Sequence, residues 1–244
     1  YESDFDHDTD ITEAGYYAVT LDTYGIRVET TASAHCGMIR MTYPENVNRR
    51  VQINLARRIA GRSAMQELKV IDNHILEGVI HCPSTHGGFG RGRGNVNYDL
   101  YFHAEFSEKW EDFGVWNKNA PVLEKKDEYA GEELWFYADF KETTAQICLK
   151  VAISYVDLVG ARNNFFAEID NTTFDEMHER ATEAWDQALS TITIDDTRKN
   201  SDLITIFYTA LYHSLLDPRI YSDVNGNYLS ADGKVRHTDS FQKR

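Results

Sequence analysis

Between Tyr16 and Tyr155 apolar side chains return at every second position, and after about Asp157 they return every three or four. A strand buries alternate residues and a helix buries one stripe, so this change of period divides the chain into a β part and an α part. The alternation is plainest in NYDLYFHAEF (97–106), with Tyr98, Leu100, Phe102, Ala104 and Phe106 on one face and Asp99, Tyr101, His103 and Glu105 on the other. Only the first face reads as core. YYAVTL (16–21), IRVETTAS (26–33), GMIRMTY (37–43), VQINLA (51–56) and ELWFYADFK (133–141) repeat the pattern, and QICLKVAISYV (146–156) is apolar enough for a central strand. Such segments in close succession predict a large antiparallel β-sandwich over residues 1–157.

Helical spacing follows in ARNNFFAEI (161–169) and TFDEMHERATEAWDQALSTI (173–192). Thr173 and Glu176 form a capping box, and Met177, Ala181, Ala184, Trp185, Ala188 and Ile192 make one apolar stripe. After the connector TITIDDT (191–197), the segment 201–217 sets Leu203, Ile204, Phe207, Ala210, Leu211, Ser214 and Leu215 on one side, with Tyr208 and Tyr212 beside them, until Pro218 stops it. That stripe is broader than a terminal helix on a sandwich edge needs, so it is expected to stay exposed. The polar remainder closes no fold, and the chain is expected to stop in mid-architecture.

Charge narrows the function classes. Lys plus Arg number 25 against 39 Asp plus Glu, a net charge of −14 with no long basic stripe, which disfavours a nucleic-acid reader. No apolar run approaches the ~18 residues of a membrane span. Cys36, Cys82 and Cys148 lie far apart without a CxxC pair, so neither a disulfide scaffold nor a zinc knuckle is expected. The chain starts at Tyr1 with nothing resembling a signal peptide, so its compartment is not written there.

Local motifs read modestly. DFDHDTD (4–10) spaces Asp4, Asp6, Asp8 and Asp10 as calcium ligands would be, but lacks the EF-hand glycine and glutamate and reads as an acidic turn. Asp223, Asn225 and Asn227 in SDVNGNY fail the same test and read as an Asn-Gly turn. HGGFGRGRGN (86–95) precedes a strand rather than a helix, so it reads as a flexible connection with Arg91 and Arg93 solvated rather than a phosphate cradle. The histidines form no HExxH, no GxSxG marks a nucleophile, and no acid–base pair can be picked out among 39 acidic residues. Aromatic residues make up 12% of the chain, which suits strands and also leaves room for a non-catalytic carbohydrate-binding module using Trp110, Trp116 and Trp135.

Four stretches carry a resemblance: FDHDTDITEAGYYAVTLDTYGIRVETTAS (5–33), NYDLYFHAEFSEKWEDFGVW (97–116), VAISYVDLVGARNNFFAEI (151–169) and FYTALYHSLLDPRIYSDVNGNYLSADGKV (207–235). Their order resembles the middle of glycoside hydrolase family 92, calcium-dependent exo-acting α-mannosidases. Asp6 stands where the family usually has serine, and Ser230 where glycine is common. The resemblance implies linker helices over 158–197 and the first helix of an (α/α)₆ catalytic barrel over 198–244, with the family's Trp-Asp-Thr helix expected just past Phe241. It implies hydrolysis of terminal α-linked mannose with inversion, a mannose-containing glycan as substrate, calcium in the complete enzyme, the rest of the barrel as partner, and a secreted or periplasmic home. The family's acid, base and calcium ligands belong to later helices, so no catalytic or metal residue is assigned here. A loop joining outer to inner barrel helices crosses the active face, which makes residues 218–241 that loop and Arg219, Asp223, Asn225 and His237 the candidate sugar contacts. Taken one by one, Asp223 and Asn225 also suit a turn, Arg219 a helix cap and His237 solvent.

Overall fold

The structure, a computed structural model, describes residues 2–58, 61–83, 97–119, 122–195, 201–216 and 220–239. Its strands are β1 Ile11–Glu13, β2 Tyr16–Leu21, β3 Ile26–Ala32, β4 Cys36–Thr42, β5 Arg50–Asn54, β6 Arg57–Arg58, β7 Gly61–Arg62 and β8 Met65–Val70, followed by β9 Ile75–Cys82, β10 Tyr98–Phe106, β11 Asp112–Trp116, β12 Glu128–Gly131, β13 Trp135–Asp139 and β14 Gln146–Ser154. Helices α1 Leu158–Glu168, α2 Phe174–Leu189 and α3 Ser201–Leu215 come next, then the hairpin β15 Asn227–Leu229 and β16 Val235–His237.

Among the described residues the β part is an antiparallel sandwich of unequal sheets. The larger has nine strands in the order β1-β2-β3-β4-β14-β10-β9-β8-β12, and the smaller has three in the order β11-β13-β5. Their inner faces share one core in which Leu68, Leu76, Phe102, Phe106, Ile147 and Leu149 of the large sheet meet Val51, Val115, Phe136 and Ala138 of the small one. Trp110 fills the space between, edge-on to Phe106 and Phe136. The alternation of β10 holds on this side: Phe102, Ala104 and Phe106 are all buried.

The opposite side of β10 departs from expectation, because His103 is only 4% exposed. Helices α1 and α2 lie across the outer face of the large sheet and make a third layer. Phe165 of α1 packs edge-on to the His103 ring, and a second core joins Cys36, Met38 and Ala152 of the sheet to Phe165, Ile169, Phe174 and Met177 of the helices. Asp157 caps α1 by accepting from the Gly160 amide at 2.7 Å, and the Thr173–Glu176 capping box opens α2 with both reciprocal bonds. Such a cap is worth about 1 kcal/mol.

The α2 stripe is buried only at its start. Met177 and Ala181 are covered by the sheet, whereas Ala184 and Ile192 are exposed. Helix α3 leans on that open half, with Tyr212 4.7 Å from the Trp185 ring and the Tyr208 hydroxyl donating to the Ile192 carbonyl at 3.1 Å. No described side chain of α3 is buried, as the width of its apolar stripe predicts, and Leu203 is 61% exposed. All three cysteines are free, and among the described residues no helix is long and apolar enough to cross a membrane.

Candidate functional site

The segment after α3 folds back as a hairpin, and its geometry begins at the Asn-Gly turn. The Asp223 carbonyl accepts from the Gly226 amide at 2.8 Å, and the Asn225 side chain accepts from the Asn227 amide at 3.0 Å. Gly226 has φ +84, and a Cβ there would lie 2.2 Å from the Thr238 carbonyl oxygen, so the turn needs glycine. Strands β15 and β16 then pair from Asn227–His237 to Leu229–Val235.

This geometry splits the four candidate sugar contacts. Asn225 and His237 are exposed at the same end of the hairpin, His237 facing Asn227 at 3.2 Å and Asp239 at 2.9 Å. Asp223 points the other way and is 2% exposed. Its two carboxylate oxygens accept from the Ser154 hydroxyl and the Asn164 side-chain amide, each at 2.9 Å. Burial pushes the Asp223 carboxyl above its ordinary pKa, although both hydrogen bonds act to lower it. Arg219, like Pro218, lies outside the described residues.

Sequence reading does not find the residues that seat this hairpin. Asn164 of α1 is fully buried, its amide donating also to the Ile153 carbonyl at 2.8 Å and its oxygen accepting from the Val224 amide at 2.9 Å. His35, in the turn between β3 and β4, touches Glu168 of α1 and the Ser222 carbonyl. The only sequence signal for Asn164 is an asparagine pair inside an otherwise helical apolar run, and His35 has none.

A second polar cluster fastens α1 to the sheet. Glu77 of β9 is 2% exposed and accepts from His103 Nδ1 at 2.8 Å and from Arg162 Nε and Nη2 at 2.5 Å each. Burial works to raise the Glu77 pKa, but Arg162 and His103 outweigh it and hold the carboxyl below the usual range. Arg40 ties α2 down in a similar way, reaching Glu29 at 2.8 Å and Asp175 at 2.7 Å with its guanidinium 4.1 Å over the Phe174 ring.

The sugar-platform reading of the tryptophans loses Trp110 to the core, while Trp116 and Trp135 stack on each other across β11 and β13 with centroids 5.5 Å apart. In the acidic segment the Asp6 carboxylate accepts from the Asp8 amide at 2.9 Å, which makes a turn. Among the described residues no three His, Cys, Asp or Glu side chains gather so as to hold a metal. The glycine-rich stretch 86–95, with Arg91 and Arg93, lies outside the described residues.

A sandwich that carries a helical layer and runs on into a further helix and hairpin is also found in solved glycoside hydrolases. The family GH92 α-mannosidase BT3965 of Bacteroides thetaiotaomicron is 28% identical and matches at a TM-score of 0.82 over 97% of this chain and 31% of its own. It has also been solved in complex with mannoimidazole. The GH92 glycosyl hydrolase ccman5 matches at a TM-score of 0.85 and 22% identity, over 98% of this chain and 32% of its own. The inverting GH92 mannosidase BT2199 of Bacteroides thetaiotaomicron VPI-5482 matches at 0.81 and 20% identity, over 96% of this chain and 30% of its own. At such identity these last two speak for the fold alone.

The models of the glycosyl hydrolase family 92 N-terminal domain and catalytic domain match residues 1–154 and 160–243 in succession. The chain belongs to glycosyl hydrolase family 92. It spans about a third of the length of these solved relatives. Among curated proteins nothing matches.

Proposed function

We propose that these residues form the sandwich and the start of the catalytic barrel of an exo-acting α-mannosidase, which removes terminal α-linked mannose from glycans with inversion. The observation that carries this is the succession of N-terminal and catalytic domain matches on one chain, together with 28% identity to an α-mannosidase over 97% of its length. An inverting hydrolase protonates the leaving oxygen with one carboxylic acid and activates water with a carboxylate about 6.5–9.5 Å away across the sugar. The proposal places both of these, and the calcium ligands, on barrel helices outside these residues. A mannose-containing glycan is the substrate and the remaining barrel the partner, in a secreted or periplasmic protein that meets extracellular glycans.

In this reading the described residues contribute positioning. Asn225 and His237 offer an amide and an imidazole at the exposed end of the hairpin, the kinds of group that fix a sugar hydroxyl, while Asp223 holds the hairpin from below. The complete gene product is expected to hydrolyse an aryl α-mannoside, and the double variant Asn225→Ala/His237→Ala to lower kcat/KM by about tenfold, or about 1.4 kcal/mol of transition-state stabilisation. Absence of hydrolysis by the complete gene product would end the proposal; an unchanged kcat/KM in the double variant would remove the hairpin from it.

A further inference from the structure

One histidine joins the hairpin segment to the large sheet and to the helical layer. His35 is 8% exposed, with Nδ1 2.5 Å from Glu168 Oε1 and Nε2 2.7 Å from the Ser222 carbonyl oxygen. Its backbone N–H donates to the second oxygen of the same carboxylate at 3.1 Å, and its carbonyl accepts from the Ile153 amide at 3.1 Å. The Ser33 hydroxyl also donates to Glu168. The turn is thus pinned around the ring. A carboxylate and a peptide carbonyl only accept, so a ring held between them must donate from both nitrogens. The arrangement calls for the imidazolium.

We infer that His35 and Glu168 form a proton-dependent latch that positions the 222–239 hairpin on the sandwich, closed when the ring carries both protons and loosened when it carries one. Removing the Nε2 proton sets a nitrogen lone pair against the Ser222 oxygen, and removing the Nδ1 proton sets one against Glu168; either way a contact that held the layers together becomes repulsive. The charged groups acting on the ring are Glu168 from α1 and Asp223 from the hairpin segment; the Cys36 thiol of β4 faces the same Glu168 carboxylate, and Arg180 of α2 lines the groove beside it. Burial by itself lowers the His35 pKa, but the Glu168 carboxylate, the Ser222 carbonyl and the Asp223 charge outweigh it and raise the pKa above the ordinary value. For Glu168, burial works upward, and His35 and Ser33 prevail to hold it below the carboxylate norm.

The sign follows from linkage. A histidine whose pKa is raised in the closed state stabilises that state fully below its ordinary value of about 6.5, and the contribution is lost as pH rises through the raised value. His35 is then a positioning residue for the hairpin. Its bearing on catalysis rests on the function proposed above, whereas the latch stands on the geometry alone.

Amide hydrogen exchange of the 244-residue chain across about pH 5 to 9 provides the test, with intrinsic rates divided out. The reporters are the amides of Val224, Gly226 and Thr238, bonded to Asn164, Asp223 and Gly226 respectively. Their protection is expected to fall by up to about tenfold for each pH unit between the ordinary and the raised pKa, while amides of β10 and β14 hold steady. His35→Gln and Glu168→Gln are each expected to abolish that step and leave hairpin protection low at every pH. A wild-type chain without the step, or a step surviving in either variant, overturns the latch. Should a variant also loosen β10 and β14, the His35 ring titration followed by NMR in the wild type decides: a midpoint above about 6.5 supports the latch and one at or below it overturns it. No mannoside enters these measurements, so failure of the latch and failure of the proposed activity are told apart.

Discussion

Asp223→Ala is expected to lower the unfolding free energy by about 3 kcal/mol and to free the 222–239 hairpin from the sandwich. The carboxylate is 2% exposed and accepts from the Ser154 hydroxyl and the Asn164 amide, each at 2.9 Å. Alanine leaves both donors facing a small void, and a buried donor without a partner costs about 1–3 kcal/mol. Gly160 makes the contact possible, since a Cβ there would lie 2.1 Å from the Asp223 carboxylate. Asp223→Asn keeps the shape and, with its amide oxygen toward Asn164, one of the two bonds; its NH2 then faces the Ser154 hydroxyl, whose oxygen already accepts from the Val156 amide at 2.9 Å, so this variant is expected to lose about 1–2 kcal/mol, less than alanine. A urea titration separates the two through the midpoint, with the slope unchanged. If Asp223 served only as a sugar contact, alanine would lower kcat/KM in the complete enzyme and leave the midpoint where it was.

A loss of similar size, about 3 kcal/mol, is expected for Glu77→Ala. Removing this carboxylate takes the bidentate partner from Arg162 and the Nδ1 acceptor from His103, which is 4% exposed and keeps only Glu105, 2.9 Å from its Nε2. Arg162 is 43% exposed and turns to solvent, so most of the loss falls on the desolvated imidazole and on the seam between α1 and the sheet. The pH dependence has a definite sign. The folded Glu77 pKa lies below its ordinary value, so its contribution is present above the unfolded value of about 4.3 and is lost as pH falls through the folded one. Equilibrium unfolding repeated at about pH 7 and at progressively lower pH is expected to show wild type and Glu77→Ala farthest apart at the first, with the gap narrowing as pH falls through the lowered carboxyl pKa.

Those two clusters mark the boundary of what the residues reveal unaided. Alternation places β2, β3, β4, β10, β13 and β14, and the capping box places the start of α2, because both signals are local. Period two says which side chains share a face but not what covers that face, so the burial of His103 under α1 is invisible until the helices are docked. The unequal sheets depend on which distant segments pair. Candidate sugar contacts chosen for polarity on one loop separate for the same reason: Asp223 finds Asn164 and Ser154, 59 and 69 residues away, whereas the partners of Asn225 and His237 lie within ten. The broad stripe of α3 is legible because width is a property of one helix, and its exposure follows.

The anomer first released from an aryl α-mannoside by the complete gene product, followed by proton NMR, bears most directly on whether these residues belong to an inverting α-mannosidase. The expected result is β-mannose appearing first and then mutarotating, with none released by residues 1–244 alone. α-Mannose as the first product, no mannose from the complete gene product, or turnover by the 244 residues by themselves would contradict it.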